Sequence, residues 1–552
     1  MIVRRLTRRD LPAVALAANL ALLFGVAVWL RTTSLESLPE PNGDESWYGV
    51  QAGRIIRGLP FAPRTPNGNP LNPFHVGTEA LLLLAFRPSF WILRVSSAAS
   101  GIAAVVLAYV LGRKVLDRGT ALLAAGVLAV LPIAIHYSRL GYDCSQTPLF
   151  SVLALYWAWN GNGRGLLLGY ALCLVAHPSN LFLLPVLLAV YLSRTLSPCR
   201  DRGAVGRAVV TTAGGLALAA ALAIYQRRLT REFLKIRQGD ALLFLKRYAN
   251  LLVAGPCDAN RLQVGIVLAV VLLGIVIGAW RLAVTRRWDR LAMLGGLVLG
   301  ASACFVTVGS DTFPPIEQRY GLFLVVPTAF AAACVIRGLL IVPTGRVSAA
   351  ARSAQVACLL AAGWALLFCF GVNRCDPRGP PPAFGLWRDK ALPPRAAFPP
   401  ESLASFGTDR PDSKAVAFRV ILHDVERRPG GRRGGTVILA QDWWTYRPLQ
   451  YLAGQRPEIA VVEWSKVPFG TLDSYKRRFQ ARLRGGAYVV CFSDQFLERF
   501  VQDEFPADQI RRWEVPAYGG PYLTILRLKD GREGFPDPGA TTAERPGAAI
   551  SR

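Results

Sequence analysis

Two adjacent carboxylates, Asp44 and Glu45, stand just after the first long apolar run, in PEPNGDESWYGVQAGRIIRGLP, residues 39–60. An aspartate at a helix start accepts hydrogen bonds from free backbone N–H groups, and the helix dipole favours its charge. The same setting keeps the carboxylate ionised, as a general base or cation ligand must be. Local physics fits both the cap and the base. Two further acids stand in loops: Asp143 in SRLGYDCS and Glu317 in PPIEQRY. A turn cap and a loop ion pair are their plain readings. Arg139, Lys246, Arg247 and Arg319 stand close to the ends of apolar runs. Basic residues there either snorkel to lipid headgroups or grip a phosphate, best as an arginine fork. His75 and Glu79, in NPLNPFHVGTE, are spaced to share one helical face. That spacing suits metal ligation, but no third ligand accompanies them, and an ordinary interfacial pair is the simpler reading.

The elements that must position these groups are mostly apolar. The chain has 552 residues, of which 52% are hydrophobic, and its mean hydropathy is +0.32. That is too apolar for an ordinary soluble enzyme. Runs long enough to span a bilayer fall near 11–31, 90–112, 119–136, 145–160, 165–176, 180–193, 206–226, 263–282, 289–308, 320–341 and 354–372. This makes about eleven spans of roughly 17–25 residues at most, the pair at 165–193 being short and broken at His177-Pro178. The expected fold class is a polytopic α-helical membrane protein carrying a soluble α/β domain at its C-terminus.

The net charge of +27 does not indicate nucleic acid. Much of it sits in alternate short loops: Arg4, Arg5, Arg8 and Arg9; Arg113, Lys114 and Arg118; Arg194, Arg200, Arg202 and Arg207; Arg281, Arg286, Arg287 and Arg290. This is the positive-inside pattern and makes the N-terminus cytoplasmic. Residues 33–88, 137–144, 228–262, 309–319 and everything after 372 then lie outside, and with them Asp44. The basic, aromatic stretch REFLKIRQGDALLFLKRYANLL in 228–262 reads as an interfacial helix on anionic lipid. The ten cysteines show no metal-ligand spacing; Cys144, Cys257, Cys375 and Cys491 lie outside, where a disulfide is permitted. No P-loop, dinucleotide fingerprint or internal repeat is present.

Between 39 and 60, Tyr48, Ala52, Ile55, Ile56 and Leu59 recur at helical spacing, which predicts an amphipathic helix on the membrane surface, ended by Gly58 and Pro60. The stretch NGDESWYGVQAGRIIRG resembles the first extracytoplasmic loop of GT-C glycosyltransferases, in particular the bacterial aminoarabinose transferases and protein O-mannosyltransferases. FWILRVSSAASGIAAVVLAYVLGRKVLDR, HYSRLGYDCSQTPLF and IEQRYGLFLVVPTAF resemble, in the family's order, its second span and basic turn, its second outer loop, and a late span. The likeness covers roughly 1–372. Where relatives often carry Pro-Pro in the first loop, this chain has NPLNPFHVGTE.

The resemblance implies transfer of a hexose or pentose from a polyprenyl-phosphate donor to a lipid, glycan or protein acceptor outside a bacterial-type inner membrane. Asp44 would take the acceptor's proton, with Glu45 orienting the acceptor or a cation. Arg139, Lys246, Arg247 and Arg319 would steady the departing phosphate. Asp143 and Glu317 become secondary acids, and Tyr48, His75 and Glu79 acceptor or sugar contacts. No cofactor is demanded, though a divalent metal is compatible. The partners are then the lipid-linked donor, the acceptor and membrane lipid, without nucleic acid. A flippase of lipid-linked sugar would want charges inside its spans, which are nearly bare of them; a non-catalytic scaffold would leave the paired carboxylates unexplained.

The expected domains are 1–372, with its outer loop 33–88; a Pro- and Gly-rich linker at 373–400; an extracytoplasmic domain at 401–531; and a tail at 532–552. In the third of these, helical and strand patterns alternate: AVAFRVILHDVERR, TVILA, YRPLQYLAG, IAVVEW, SYKRRFQARLRGG, AYVVCF and FLERFVQDEF, then a hairpin in WEVPAYGGPYLTILRLK. Alternation predicts a three-layer α/β domain. Asp442, Trp443, Trp444 and Tyr446 follow its first strand, where they suit either sugar stacking or packing.

Overall fold

The computed structural model describes residues 11–33, 35–36, 41, 43–66, 68–196, 202–229, 276, 278–280, 282–284, 286–308, 318–340, 413–427, 435–454, 456–464, 472–484, 486–493, 496–517 and 520–528. The chain divides into two compact units, Met1–Asp412 and Ser413–Arg552.

The first unit is helical. Its elements are α1 (Leu11–Thr32), α2 (Gly43–Ile56), α3 (Pro73–Ala85), α4 (Phe90–Val115), α5 (Arg118–Val130), α6 (Pro132–Ser138), α7 (Thr147–Trp159), α8 (Gly163–Ala176), α9 (Leu184–Thr195), α10 (Arg202–Leu229), α11 (Trp288–Val308) and α12 (Val325–Leu340). Short 3-10 turns at Asp143–Gln146, Pro178–Leu183 and Gln318–Leu324 lead into α7, α9 and α12. Among the described residues two helices are long and apolar enough to cross a membrane, Phe90–Val115 and Gly203–Tyr225. Helix α4 is the hub, touching α1, α2, α3, α5, α6 and α7. It packs closely on α5 because small residues face each other: Ala104 and Ala108 on one, Ala121, Ala124 and Ala125 on the other. A Cβ added at Gly112 would meet that of Ala121 at 3.3 Å. Such small-residue seams are how helices associate when burying apolar surface earns nothing from lipid. The outward faces stay apolar, with Leu22, Leu84, Val210 and Leu299 each more than 60% exposed, which suits lipid and not water.

Several spans differ from expectation. The run 119–136 is α5 and α6, broken at Leu131-Pro132. Proline supplies no N–H and pushes the residue before it out of the helical region; Leu131 sits at φ −65°, ψ 119°. The broken pair at 165–193 is α8 and α9, joined by the 3-10 turn that His177 caps through its Nδ1. The span expected at 354–372 lies outside the described residues, as do all but the last few of 263–282, the linker 373–400, and the tail 532–552.

The second unit is a five-stranded sheet, β1 (Thr436–Ala440), β2 (Ile459–Glu463), β3 (Tyr488–Phe492), β4 (Ile510–Ala517) and β5 (Gly520–Leu528), in the order β2-β1-β3-β5-β4. The first three are parallel, β5 pairs antiparallel with β3, and β4 pairs antiparallel with β5. Helices α13 (Ser413–Arg427) and α14 (Trp443–Ala453) cover one face; α15 (Leu472–Arg484) and α16 (Phe496–Glu504) cover the other. The period of two sorts the strands cleanly. Ile438, Ala440, Tyr488, Val490 and Phe492 pack with Phe418, Ile421 and Leu449. Leu439, Val489 and Cys491 pack with Phe479, Leu483 and Val501. In the loop after β1, Asp442 caps α14 by accepting from the Thr445 N–H. The Arg447 guanidinium lies 4.2 Å from the Trp443 ring centroid.

Candidate active site

Helix α2 opens with its two carboxylates turned in different directions, as a step of about 100° around a helix requires. Asp44 is half-buried, while Glu45 is sealed from solvent. The rest of the first turns departs from a surface helix: Gly43 and Glu45 through Ala52 are buried, packed on α3 and α4. Only the end of the stretch is exposed, at Ile55 and Leu59. Gly58, at φ +64°, ends it, with Leu59 N–H donating back to the Arg54 carbonyl at 2.9 Å, a left-handed cap of the kind glycine permits.

Glu45 is fully engaged. Arg94, in the first turns of α4, donates to it twice, Nη2 to Oε1 at 2.6 Å and Nε to Oε2 at 2.9 Å. The Gly141 N–H adds a third bond to Oε2 at 2.9 Å. Arg94 also donates to the Leu35 carbonyl at 3.0 Å. One carboxylate thus ties together α2, α4 and the loop after α6. Arg94 was not singled out from the sequence. Its signal was a lone arginine inside an apolar run, which in a bilayer calls for a partner.

The loop after α6 carries the second acid. Asp143 is buried, accepts from the Cys144 N–H at 2.7 Å, and is hydrogen-bonded to the Tyr48 phenol. Burial first, and then the charges of Asp143 and Asp44, push the Tyr48 hydroxyl well above its ordinary pKa. Two carboxylates from separate elements therefore act on one phenol. Asn72 fastens α3 to the same loop: its side-chain oxygen caps the N–H groups of Phe74 and His75, and its amide donates to the Asp143 carbonyl and to Gln146. The loop passes so close to α4 that a Cβ on Gly141 would lie 2.6 Å from the Leu93 carbonyl oxygen; only glycine fits.

His75 and Glu79, expected at the acceptor, stand behind Tyr48 with no exposed surface. Imidazole Nε2 is 3.2 Å from Glu79 Oε1 and 3.0 Å from the Gly141 carbonyl, and Nδ1 is 3.2 Å from the Ser96 hydroxyl. The Tyr48 and His75 rings meet edge to face, 5.2 Å apart. Burial pushes the Glu79 carboxyl up to about 7. Burial, the largest single influence, would lower His75, but the charge and hydrogen bond of Glu79, the charge of Asp143 and the Gly141 carbonyl together outweigh it, and the imidazole pKa is raised.

Of the cations expected at a phosphate, Arg139 is buried and donates to the Leu30 and Thr33 carbonyls at the end of α1, so much of its hydrogen-bonding capacity closes that helix. The backbone of Arg319 lies in the 3-10 turn Gln318–Leu324, which packs against α6 and the Asp143–Gln146 turn; its side chain lies outside the described residues. Lys246, Arg247 and Glu317 lie outside them altogether. Of the four cysteines that could have paired, Cys144 and Cys491 are buried and in no disulfide; Cys257 and Cys375 are outside the described residues. Among the described residues no cluster of three or more His, Cys, Asp or Glu is assembled for a metal.

No protein-family model matches the chain, and no curated protein matches it. Solved structures do. The apo oligosaccharyltransferase of Archaeoglobus fulgidus superposes with a TM-score of 0.51 at 14% identity, over 86% of this chain and 69% of its own. ArnT from Cupriavidus metallidurans, solved with undecaprenyl phosphate, matches at 0.48 and 12% identity over 94% and 98%. At such identities likeness speaks for architecture alone: the chain has the GT-C fold, polytopic helices followed by a C-terminal domain.

Proposed function

We propose that this protein is a membrane glycosyltransferase that moves a sugar from a polyprenyl-phosphate donor to an acceptor hydroxyl on the extracytoplasmic side. One observation supports the reading: in a chain with the GT-C fold, the half-buried Asp44 stands one helical turn before Tyr48 on α2, and the Tyr48 phenol is hydrogen-bonded to Asp143 of the loop after α6. In the reaction the acceptor O–H gives its proton to Asp44 as its oxygen bonds to the anomeric carbon. The bond from that carbon to the lipid phosphate breaks, and the phosphate leaves as an anion. Asp44 is the suited base because it keeps access to solvent, whereas Glu45 is consumed by Arg94 and Gly141. Glu45 fixes the frame, and Tyr48 and Asp143 are buried beside the half-buried Asp44. The backbone turn bearing Arg319 packs against the Asp143–Gln146 turn, and we assign its guanidinium to the departing phosphate. The about eleven spans, the cytoplasmic N-terminus, the inner-membrane setting and the outer location of the second unit belong to this proposal. A reporter fused after Val372 that is active only in the cytoplasm would overturn the orientation.

The deciding test is transfer from a polyprenyl-phosphate sugar by purified wild type and Asp44→Asn. Asparagine caps a helix about as well as aspartate but cannot take the proton. We expect the rate to fall roughly 10²–10⁴-fold with an unchanged thermal melt. Near-wild-type transfer would reduce Asp44 to a cap.

A further inference from the structure

Gly141 is held from both sides. Its N–H donates to Glu45 of α2, and its carbonyl faces the His75 imidazole of α3. Two residues on stands Asp143. What holds the carbonyl is a single Nε2–H with two acceptors in reach, Gly141 O at 3.0 Å and Glu79 Oε1 at 3.2 Å. Among the described residues neither Glu79 oxygen has a well-aligned hydrogen bond, and the side chain is fully buried. A carboxylate in that position is costly unless it is protonated or faces an imidazolium.

We propose that His75 and Glu79 hold one proton between them and act as positioning residues for the loop that carries Asp143, releasing the Gly141 carbonyl when that proton is lost. This rests on the reading that Asp143 belongs to the reacting site. With the proton present, either Glu79 is neutral or His75 is doubly protonated, and the Nε2–H is available to Gly141. With the proton gone, Glu79 is an anion beside a neutral imidazole. The Nε2–H then turns to the charged acceptor, because a hydrogen bond to an ionised group is about twice as strong as one to a neutral carbonyl. The carbonyl loses its donor and the loop loosens. The groups facing the pair are Glu45 and Tyr48 from α2, Arg94 and Ser96 from α4, and Asp143 from the turn. Arg94 pairs with Glu45, whose charge still raises Glu79 slightly, so the balance is set by the pair with Asp143 and Glu45.

The direction is fixed. Glu79 is raised to about 7 and His75 is raised as well, so the folded protein binds more protons than the unfolded chain. The stability that Glu79 contributes is therefore full below about pH 4.5 and is lost as pH rises through about 7, and that of His75 is lost as pH rises beyond its ordinary 6.5.

Hydrogen exchange at residues 139–146, measured on the full chain in detergent from about pH 6 to about pH 9 and corrected for intrinsic rates, needs no substrate. Protection should drop about tenfold across that range, the worth of one hydrogen bond. In Glu79→Gln, which accepts the Nε2–H without a charge, the drop should vanish. Transfer by Glu79→Gln should hold its rate at high pH where wild type declines through kcat, with KM little changed. His75→Phe should lower kcat at every pH, and His75→Gln, whose amide can donate to Gly141, should recover most of it. The same pH-dependence of exchange in wild type and Glu79→Gln would overturn the proposal. Transfer absent from wild type would sink the glycosyltransferase reading, and the exchange result would still decide the pair.

Discussion

The two ends of α4 are built from the same chemistry in opposite settings. Near its start, Arg94 meets Glu45 through two bonds of 2.6 and 2.9 Å, both side chains fully buried. About 35 Å away, at a rise of about 1.5 Å for each residue, Asp117 follows its last turn. Its carboxylate, 40% exposed, caps α5 and meets Arg290 and Arg337 at only 3.5 and 3.4 Å. The first pair is directional and dry, so it can fix the position of the loop bearing Asp143. The second is loose and solvated, a clamp joining the α4–α5 turn to α11 and α12. Charge pairing alone does not make a rigid site; burial and bidentate geometry do.

The sharpest way to break this contrast is to remove one partner at each end. Arg94→Met strands a buried carboxylate and should cost about 3–5 kcal/mol, read as a thermal melt in detergent. Glu45→Leu added to Arg94→Met should recover much of that loss, because no charge is then left unpaired. A loss below about 1 kcal/mol for the single change would place both ends in the same class. Next in size, Gly141→Ala presses a methyl group onto the Leu93 carbonyl and should cost about 1–3 kcal/mol, with exchange at 139–146 accelerated. Least affected is Asp117→Asn, which keeps the cap on Thr120 and loses only solvated pairs, about 0.2–1 kcal/mol. Partial burial opposes the charge at Asp117, but the Thr120 hydroxyl and N–H, with Arg337 and Arg290, hold its carboxyl below the usual range. Its contribution is therefore present at neutral pH and lost only as pH falls below about 4. In Asp117→Asn that acid-side decline should shrink, leaving the loss on the way up to about pH 7 from Glu79 unaltered.

Much of this architecture is legible along the chain because it depends on near neighbours. The strand TVILA is β1 residue for residue, and the alternation after 413 becomes a three-layer unit, since a period of two or 3.6 is a local property. Asp44 at the start of α2 and Gly58 at its end follow from helix-terminus physics in the same way. The resemblance in the first outer loop pointed to the GT-C fold that the superposition supports. Other features needed tertiary structure. Which of two adjacent carboxylates stays open to solvent depends on Arg94, 49 positions beyond Glu45. His75 and Glu79 share a helical face by spacing, but nothing in that spacing says whether the face meets acceptor, metal or core; packing against Tyr48, Ser96 and Gly141 put it inside. Periodicity sets which residues of one element share a side, whereas the identity of the facing element is a long-range choice, made where buried charges find partners.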